Sequence, residues 1–366
     1  VSNERSMELI MPVMNSVHRH VAWCLLWGVL LMSTLSIAKG APVESALERP
    51  SVATAMAAHS YLLGIAQAGA RLVAVGERGI VVLSDDSGAS WRQVQTPVSV
   101  TLTAVRFADA RNGYAVGHGG SVLVTTDAGE SWTLSLDGRR IAQLILATAR
   151  EKGEARPIAY AERMVEEGPD KPLLDVLVRA PLNAVVVGAY GIVLSTTDGG
   201  KTWSSWGDQI QNPGALHLSA IRGEGQQIVI VGEQGLVRIS EDGGATFSVA
   251  QTPYRGSYFT AEIPSGREIV VAGLRGNALR SEDGGKTWTP LISPDEASIT
   301  ASAIQSDGHL VLVNQSGLIM RERGGKLEPI NSRPFPPLNG VLLTSDLKIF
   351  VLSQLGVTTV KPGEKQ

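Results

Sequence analysis

The chain has 366 residues, a formal net charge of −3, 43% hydrophobic residues, one cysteine and 40 glycines. Glycine at about 11% exceeds the usual ~7% but falls far short of one in three, so collagen is excluded, and the hydrophobic content excludes a long disordered chain. The near-neutral charge argues against non-specific nucleic-acid binding, and a single cysteine excludes a disulfide framework or a multi-cysteine metal site.

Residues 1–17 are irregular and Met-rich, and His18, Arg19 and His20 form a short basic region. An apolar run from Val21 to Leu35 follows, then small residues at cleavage spacing around Ser36 to Ala41. This is the three-part pattern of a secretory signal. The run is about 15 residues, shorter than the ~20 of a membrane span. We therefore expect export to a periplasm or the lumenal side of a membrane, with cleavage near 38–41. Residues 1–40 are then the signal peptide and its upstream segment. An uncleaved N-terminal anchor is the rival. Cys24 lies inside the apolar run and is lost with it, so the mature chain has no thiol.

From residue 73 onward one pattern recurs. It reads V-A-V-G-E-R-G-I-V-V-L-S-D-D-S-G-A-S-W from Val73 to Trp91 and returns from Tyr114, Val185, Val229 and Val270, with weaker copies from Val311 and Phe350. The second glycine of each copy sets the register: Gly79, Gly120, Gly191, Gly235, Gly276, Gly317 and Gly356. Six steps of 41, 71, 44, 41, 41 and 39 residues separate them. Seven units of about 40 residues leave no room for a second domain. Each copy reads as two apolar runs joined by a glycine turn, a hairpin, with a further strand-like run on either side. Four strands per unit at this period describe a propeller blade.

The expected fold is all-β: a seven-bladed β-propeller over 41–366 with four-stranded blades. The blades fall near 59–97, 98–137, 173–207, 215–253, 257–293, 298–332 and 338–362, the last closed by residues 44–58. The one long step comes from an insertion at 138–172, where Ile141–Lys152 and Pro157–Glu167 read as two short helices. Ile141, Leu144, Ile145 and Thr148 form one face that needs a partner, and packing on the propeller rim is the simplest one.

Five copies end in [ST]-x-D-x-G-x-[ST]-[WF], which resembles the Asp-box, or bacterial neuraminidase repeat (S-x-D-x-G-x-[ST]-W), of sialidases and related propellers. Asp86, Asp127, Asp198, Asp242 and Asp283 hold the acidic position; Trp91, Trp132, Trp203, Phe247 and Trp288 hold the aromatic one. An aspartate there can accept backbone N–H bonds within its own turn, and the aromatic supplies packing area between blades. Five identical copies around a ring are structural turns, not one catalytic site. A glycosidase needs two converging acids, and a sialidase also needs an arginine cluster and a tyrosine nucleophile. No F/Y-R-I-P-like segment precedes Ser84. Two acids lining the channel beside an arginine pair would favour catalysis; a rim of arginines and aromatics around a carboxylate-poor channel would favour binding.

The longer pattern (G-E-R-G, V-G-H-G-G, D-A-R-N-G-Y-A-V-G, T-T-D-G-G-K-T-W) resembles the photosystem II stability/assembly factor family. The resemblance covers roughly residues 50–360. It implies a seven-bladed, non-enzymatic propeller without cofactor or metal, monomeric, that binds a membrane or periplasmic protein during assembly through arginines on one face. In a propeller the Gly-x-x-Gly turns share a face with the inter-blade connections. That face would carry Glu77, Arg78, His118, Tyr190, Glu233, Gln234, Arg275 and Gln315 from the turns. The connections would add His217, Tyr254, Arg255, Tyr258, Phe259 and the Pro334–Pro337 segment. The candidate binding residues are Arg78, His118, Tyr190, Glu233, Gln234, Tyr254, Arg255, Tyr258, Phe259 and Arg275. His118 and His217 lack the paired spacing of metal ligands. A carbohydrate-active propeller, hydrolase or lectin, is the alternative.

Overall fold

Each repeat folds into an antiparallel sheet whose strands follow chain order, and seven such sheets form the ring of a β-propeller. The computed structural model describes residues 44–305 and 308–360; the expected signal segment lies outside them. Blade 1 runs from Leu62 to Val94, blade 2 from Leu102 to Leu136 and blade 3 from Leu173 to Ser205. Blades 4, 5 and 6 run from Leu218 to Val249, Tyr258 to Leu291 and Ile299 to Pro329, and blade 7 from Leu338 to Val360. Among the described residues no helix is long and apolar enough to cross a membrane.

Burial grades outward through each blade. The second strand is buried on both faces, as in Gly113–Gly117 and Ile269–Gly273, because neighbouring blades cover it from both sides. This explains its unbroken apolar sequence. The fourth strand is short and largely exposed, as in Ser248–Val249. The first strand lines the central channel. In all seven blades its pairing skips one residue near the start, between Leu62 and Gly64 in blade 1 and between Leu102 and Ala104 in blade 2, for example. A bulge of this kind re-aims the skipped side chain. Here it adds a ring of residues, one per blade, to the channel wall.

Among the described residues blade 7 has three strands, and residues 44–58 do not form the fourth one expected of them. That segment turns instead to the outside of blade 1: Ser51 N donates to Thr96 O (3.0 Å) and Ser99 N to Ala46 O (2.7 Å). Pro50 and the alanine-rich stretch behind it have little strand propensity. Only the single turn Ala57–His59 reaches blade 7, beside Gly356. The ring closes through packing: Phe350 and Leu352 share one buried cluster with Leu62, Ile65, Leu72 and Ala74 of blade 1.

The insertion forms helices α1 (Gly138–Lys152) and α2 (Ala155–Glu167). Asp137 caps α1 by accepting from Arg140 N (2.9 Å), and Gly153 ends it with φ 72°. Ile141, Ala142 and Met164 are buried in the core cluster of blades 2 and 3, with Leu144, Ile145 and Tyr160 packed against it. The hairpin therefore sits on the rim.

Candidate functional site

Two kinds of turn define two faces. On the upper face each Gly-x-x-Gly turn bonds back to the entry of its own first strand: Glu77 N to Tyr61 O (3.0 Å), His118 N to Thr101 O (2.8 Å), Glu233 N to His217 O (3.1 Å) and Leu274 N to Ser257 O (2.9 Å). On the lower face the acidic turns bond to the first hairpin turn, as in Gly199 N to Leu182 O (3.0 Å) and Gly243 N to Gln226 O (2.8 Å). Gly76 shows why the first glycine is required, since a Cβ there would run into the Tyr61 carbonyl. Gly79 shows why the second is, with φ 71°.

The residue between those glycines takes a left-handed backbone although it is not glycine: Arg78 (φ 52°), Tyr190 (φ 57°), Gln234 (φ 53°) and Arg275 (φ 55°). Non-glycine residues are uncommon in this region, and their clustering marks a surface for functional attention. The turn points all four side chains outward, and all four are exposed, as is His118 of blade 2, where Gly119 takes the left-handed place. Arg255 is exposed on the connection entering blade 5. Arg78, Arg255 and Arg275 form no ion pair with another described residue. The two acids on the Gly-x-x-Gly turns are already engaged. Glu77 accepts from Tyr61 N (3.1 Å), and Glu233 accepts from His217 N (2.9 Å) with its other oxygen 3.5 Å from His217 Nδ1. Tyr190 stands on the His217 ring (centroids 4.9 Å apart) beneath Lys171 (5.3 Å), and its carbonyl accepts from the Tyr160 hydroxyl (3.0 Å). The upper face is thus walled by the hairpin on one side.

Three expected binding residues have other roles. Tyr258 is wholly buried, its hydroxyl donating to Thr252 Oγ1 (2.8 Å), so it is a core residue and offers no contact surface. The inter-blade aromatics alternate as a strand does, and Tyr258 begins the strand. Tyr254 is half-buried and donates to Leu274 O (3.0 Å), bracing the next turn. Phe259 lines the channel.

The channel holds charged residues that the sequence reading passed over. A cavity of about 110 Å³ is lined by the skipped residues Leu63, Thr103, Leu174, Ser219, Phe259, Thr300 and Asn339, one per blade, and by Arg106, Asp175, Arg222 and Ser302 among others. Arg106, Arg222 and Glu262 share one register, four residues into their first strands, and charges there in otherwise apolar strands were the available signal. Asp175 lies on the wall. Glu262 is held beside Arg222 (3.6 Å) and accepts from Ser302 Oγ (2.9 Å).

This is close to the composition that would favour catalysis, but Arg222 pairs with both carboxylates, bonding Asp175 through Nη1 and facing Glu262 through Nε. Burial pushes the Asp175 carboxyl up, but Arg222 and Arg106 outweigh it and leave it below its ordinary value. Burial pushes Glu262 up, and Arg222 with the Ser302 hydroxyl recovers only part. Among the described residues no group of three or more His, Cys, Asp or Glu could hold a metal ion.

The acidic turns are all formed alike. Asp242 accepts from Ser240 Oγ (2.7 Å), Thr246 N (2.9 Å) and Thr246 Oγ1 (2.6 Å), and Asp86, Asp127, Asp198 and Asp283 repeat the pattern. Trp132, Trp203 and Phe247 are buried and Trp91 and Trp288 partly so. These are structural turns.

Residues 160–322 match the family model described as photosynthesis system II assembly factor YCF48. No curated protein matches. Among solved structures, YCF48 bound to D1 peptide has 17% identity and a TM-score of 0.61, covering 85% of this chain and 98% of that one. YCF48 from Cyanidioschyzon merolae has 16% identity and a TM-score of 0.61, covering 82% and 95%. The WD40 propeller domain of Doa1 has 8% identity and a TM-score of 0.60, covering 87% and 97%. At these identities the structural likeness speaks for the fold. The chain is thus a seven-bladed β-propeller that is similar, over residues 160–322, to the photosystem II assembly factors.

Proposed function

We propose that this propeller is a monomeric, non-catalytic scaffold that binds another protein through its upper face and assists its assembly or stability. The protein would act after export, in a periplasm or on the lumenal side of a membrane, on a membrane or periplasmic partner. The observation that carries the reading is the set of exposed arginines Arg78, Arg255 and Arg275, unpaired with any described residue on a face where the turn acids Glu77 and Glu233 are already bonded. Exposed arginines and aromatics are common anchors of protein interfaces. The solved relative bound to a D1 peptide supports a protein partner, and the apolar run before Ser36 supports export.

Affinity capture from detergent-solubilised membranes tests this, comparing the native chain with Arg78→Glu/Arg255→Glu/Arg275→Glu. The triple variant should lose most of the captured partner while keeping its unfolding temperature. Recovery of the same partners in equal amount would overturn the face assignment. The channel acids keep one rival in view: a carbohydrate-active propeller would turn over a glycoside, and Asp175→Asn or Glu262→Gln would abolish it.

A further inference from the structure

Four large apolar side chains stand exposed on the upper face in one sector, running from blade 6 round to blade 1. Ile330 follows the fourth strand of blade 6, and Leu355 tips the turn between the second and third strands of blade 7. Met56 and Tyr61 flank the single turn Ala57–His59 that leads into blade 1. Met56 is 60% exposed and Leu355 58%. The segments adjoin: Gly356 is packed against the Ala58 carbonyl, and Tyr61 and Glu77 bond to each other (3.0 and 3.1 Å) beside Arg78. The arginines of this sector, Arg78 and Arg333, are exposed and form no ion pair with another described residue. Of its acids, Glu77 accepts from Tyr61 N, and Asp295 accepts from Asn314 Nδ2 (3.0 Å) and Ser316 Oγ. Glu296, on the connection entering blade 6, and Glu328, on an outermost strand, are exposed.

We propose that this sector docks on an anionic lipid surface, with Met56, Tyr61, Ile330 and Leu355 entering the interface and Arg78 and Arg333 meeting lipid phosphates. Apolar residues gathered on one part of a surface mark an interaction site. These four come from separate segments, at turns and strand ends, so each projects singly. The anchors of a protein interface cluster in packed pockets, whereas acyl chains close around separate tips. Unpaired arginines beside the tips suit the phosphates of an anionic leaflet, and a tyrosine is at home at headgroup level. Such contact is peripheral and needs no spanning helix; among the described residues no helix is long and apolar enough to be one. It draws on neither Arg255 nor Arg275, and so goes beyond the capture of a protein partner.

The test is cosedimentation of the exported chain with vesicles, phosphatidylglycerol mixed with phosphatidylcholine against phosphatidylcholine alone, every variant sharing the native N-terminus. Binding should be saturable on the mixed vesicles, fall as salt rises and be weak on the neutral ones. Soluble glycerol phosphate at equal phosphate concentration should not compete. Met56→Ser/Leu355→Ser should weaken partition about tenfold. Because both side chains are exposed, the double variant should keep its unfolding temperature, and it should still capture the protein partner. Amide exchange on vesicles should slow at residues 54–61 and 353–357 but not at 274–276. Equal binding to neutral vesicles, native partition of the double variant, or an exchange footprint elsewhere would each overturn the proposal. Loss of partner capture in that variant would do so too, by assigning these tips to a protein interface.

Discussion

At the scale of single residues, the acidic turns carry a pH signature. The Ser90 hydroxyl and backbone N–H hold Asp86 near 2, and the Thr202 and Thr246 groups do the same for Asp198 and Asp242, against an ordinary value of 3.8. A carboxylate whose folded value is depressed contributes stability that is fully present above its unfolded value and is lost as pH falls through the folded one. Denaturant unfolding followed from pH 7 to pH 2 should therefore show stability falling mainly between about pH 4 and 2. Asp242→Asn should reduce that slope and leave the fold intact at pH 7; an unchanged slope would mean the turn aspartates titrate as in the unfolded chain. Placing these five aspartates needed only the local motif, because donor and acceptor lie within four residues of each other. Tyr258 shows the opposite case. Its neighbours Tyr254 and Arg255 reach the surface, and nothing within the T-P-Y-R-G-S-Y-F segment distinguishes the tyrosine that starts a strand and points between blades.

At the scale of elements, the helical hairpin is held by its packed face and by one cap. Ile141 is 1% exposed among Leu136, Leu173 and Trp203. Ile141→Ala should cost about 2–4 kcal/mol in chemical denaturation, and Asp137→Ala about 1 kcal/mol through the lost cap. A cost below about 1 kcal/mol for the first would mean that the hairpin is not docked in solution. The two helices and their apolar face were readable from the 3.6-residue period alone. Where that face docks was not, since the rim it covers includes Trp203, about 60 positions from Ile141. The first strands Leu102–Phe107 and Ile299–Ile304 open the units expected at 98–137 and 298–332. Their bulges were not foreseen, because a skipped residue shows only when a partner strand is present to be out of step with.

At the scale of the whole molecule, no strand among the described residues is shared between the two ends, and the ring closes through packing. Phe350 is fully buried at the junction of blades 7 and 1, where a Cβ on Gly88 would strike its ring. Phe350→Ala should cost about 3–5 kcal/mol. Amide hydrogen exchange should then show protection falling in blades 1 and 7 together. Loss confined to blade 7 would mean that the junction is not a cooperative closure. The channel is a property of this scale too. Arg106, Asp175, Arg222 and Glu262 come from four blades spread over more than 150 residues, and only closure of the ring brings them within ion-pair range.

The sequence by itself determined the seven units, the glycine turns that join their strands, the acidic turns and the face on which arginines would gather. All of these are short-range: a period, a positive φ or a turn hydrogen bond is settled within a few residues. Tertiary structure alone decided the course of the N-terminal segment, the burial of Tyr258 and the pairing of the channel charges. Each depends on contacts between blades, and a residue's distance to the next blade is not written in its own repeat. The glycine excess is accordingly a local matter of turns, while the paired charges of the channel exist only because seven strands meet.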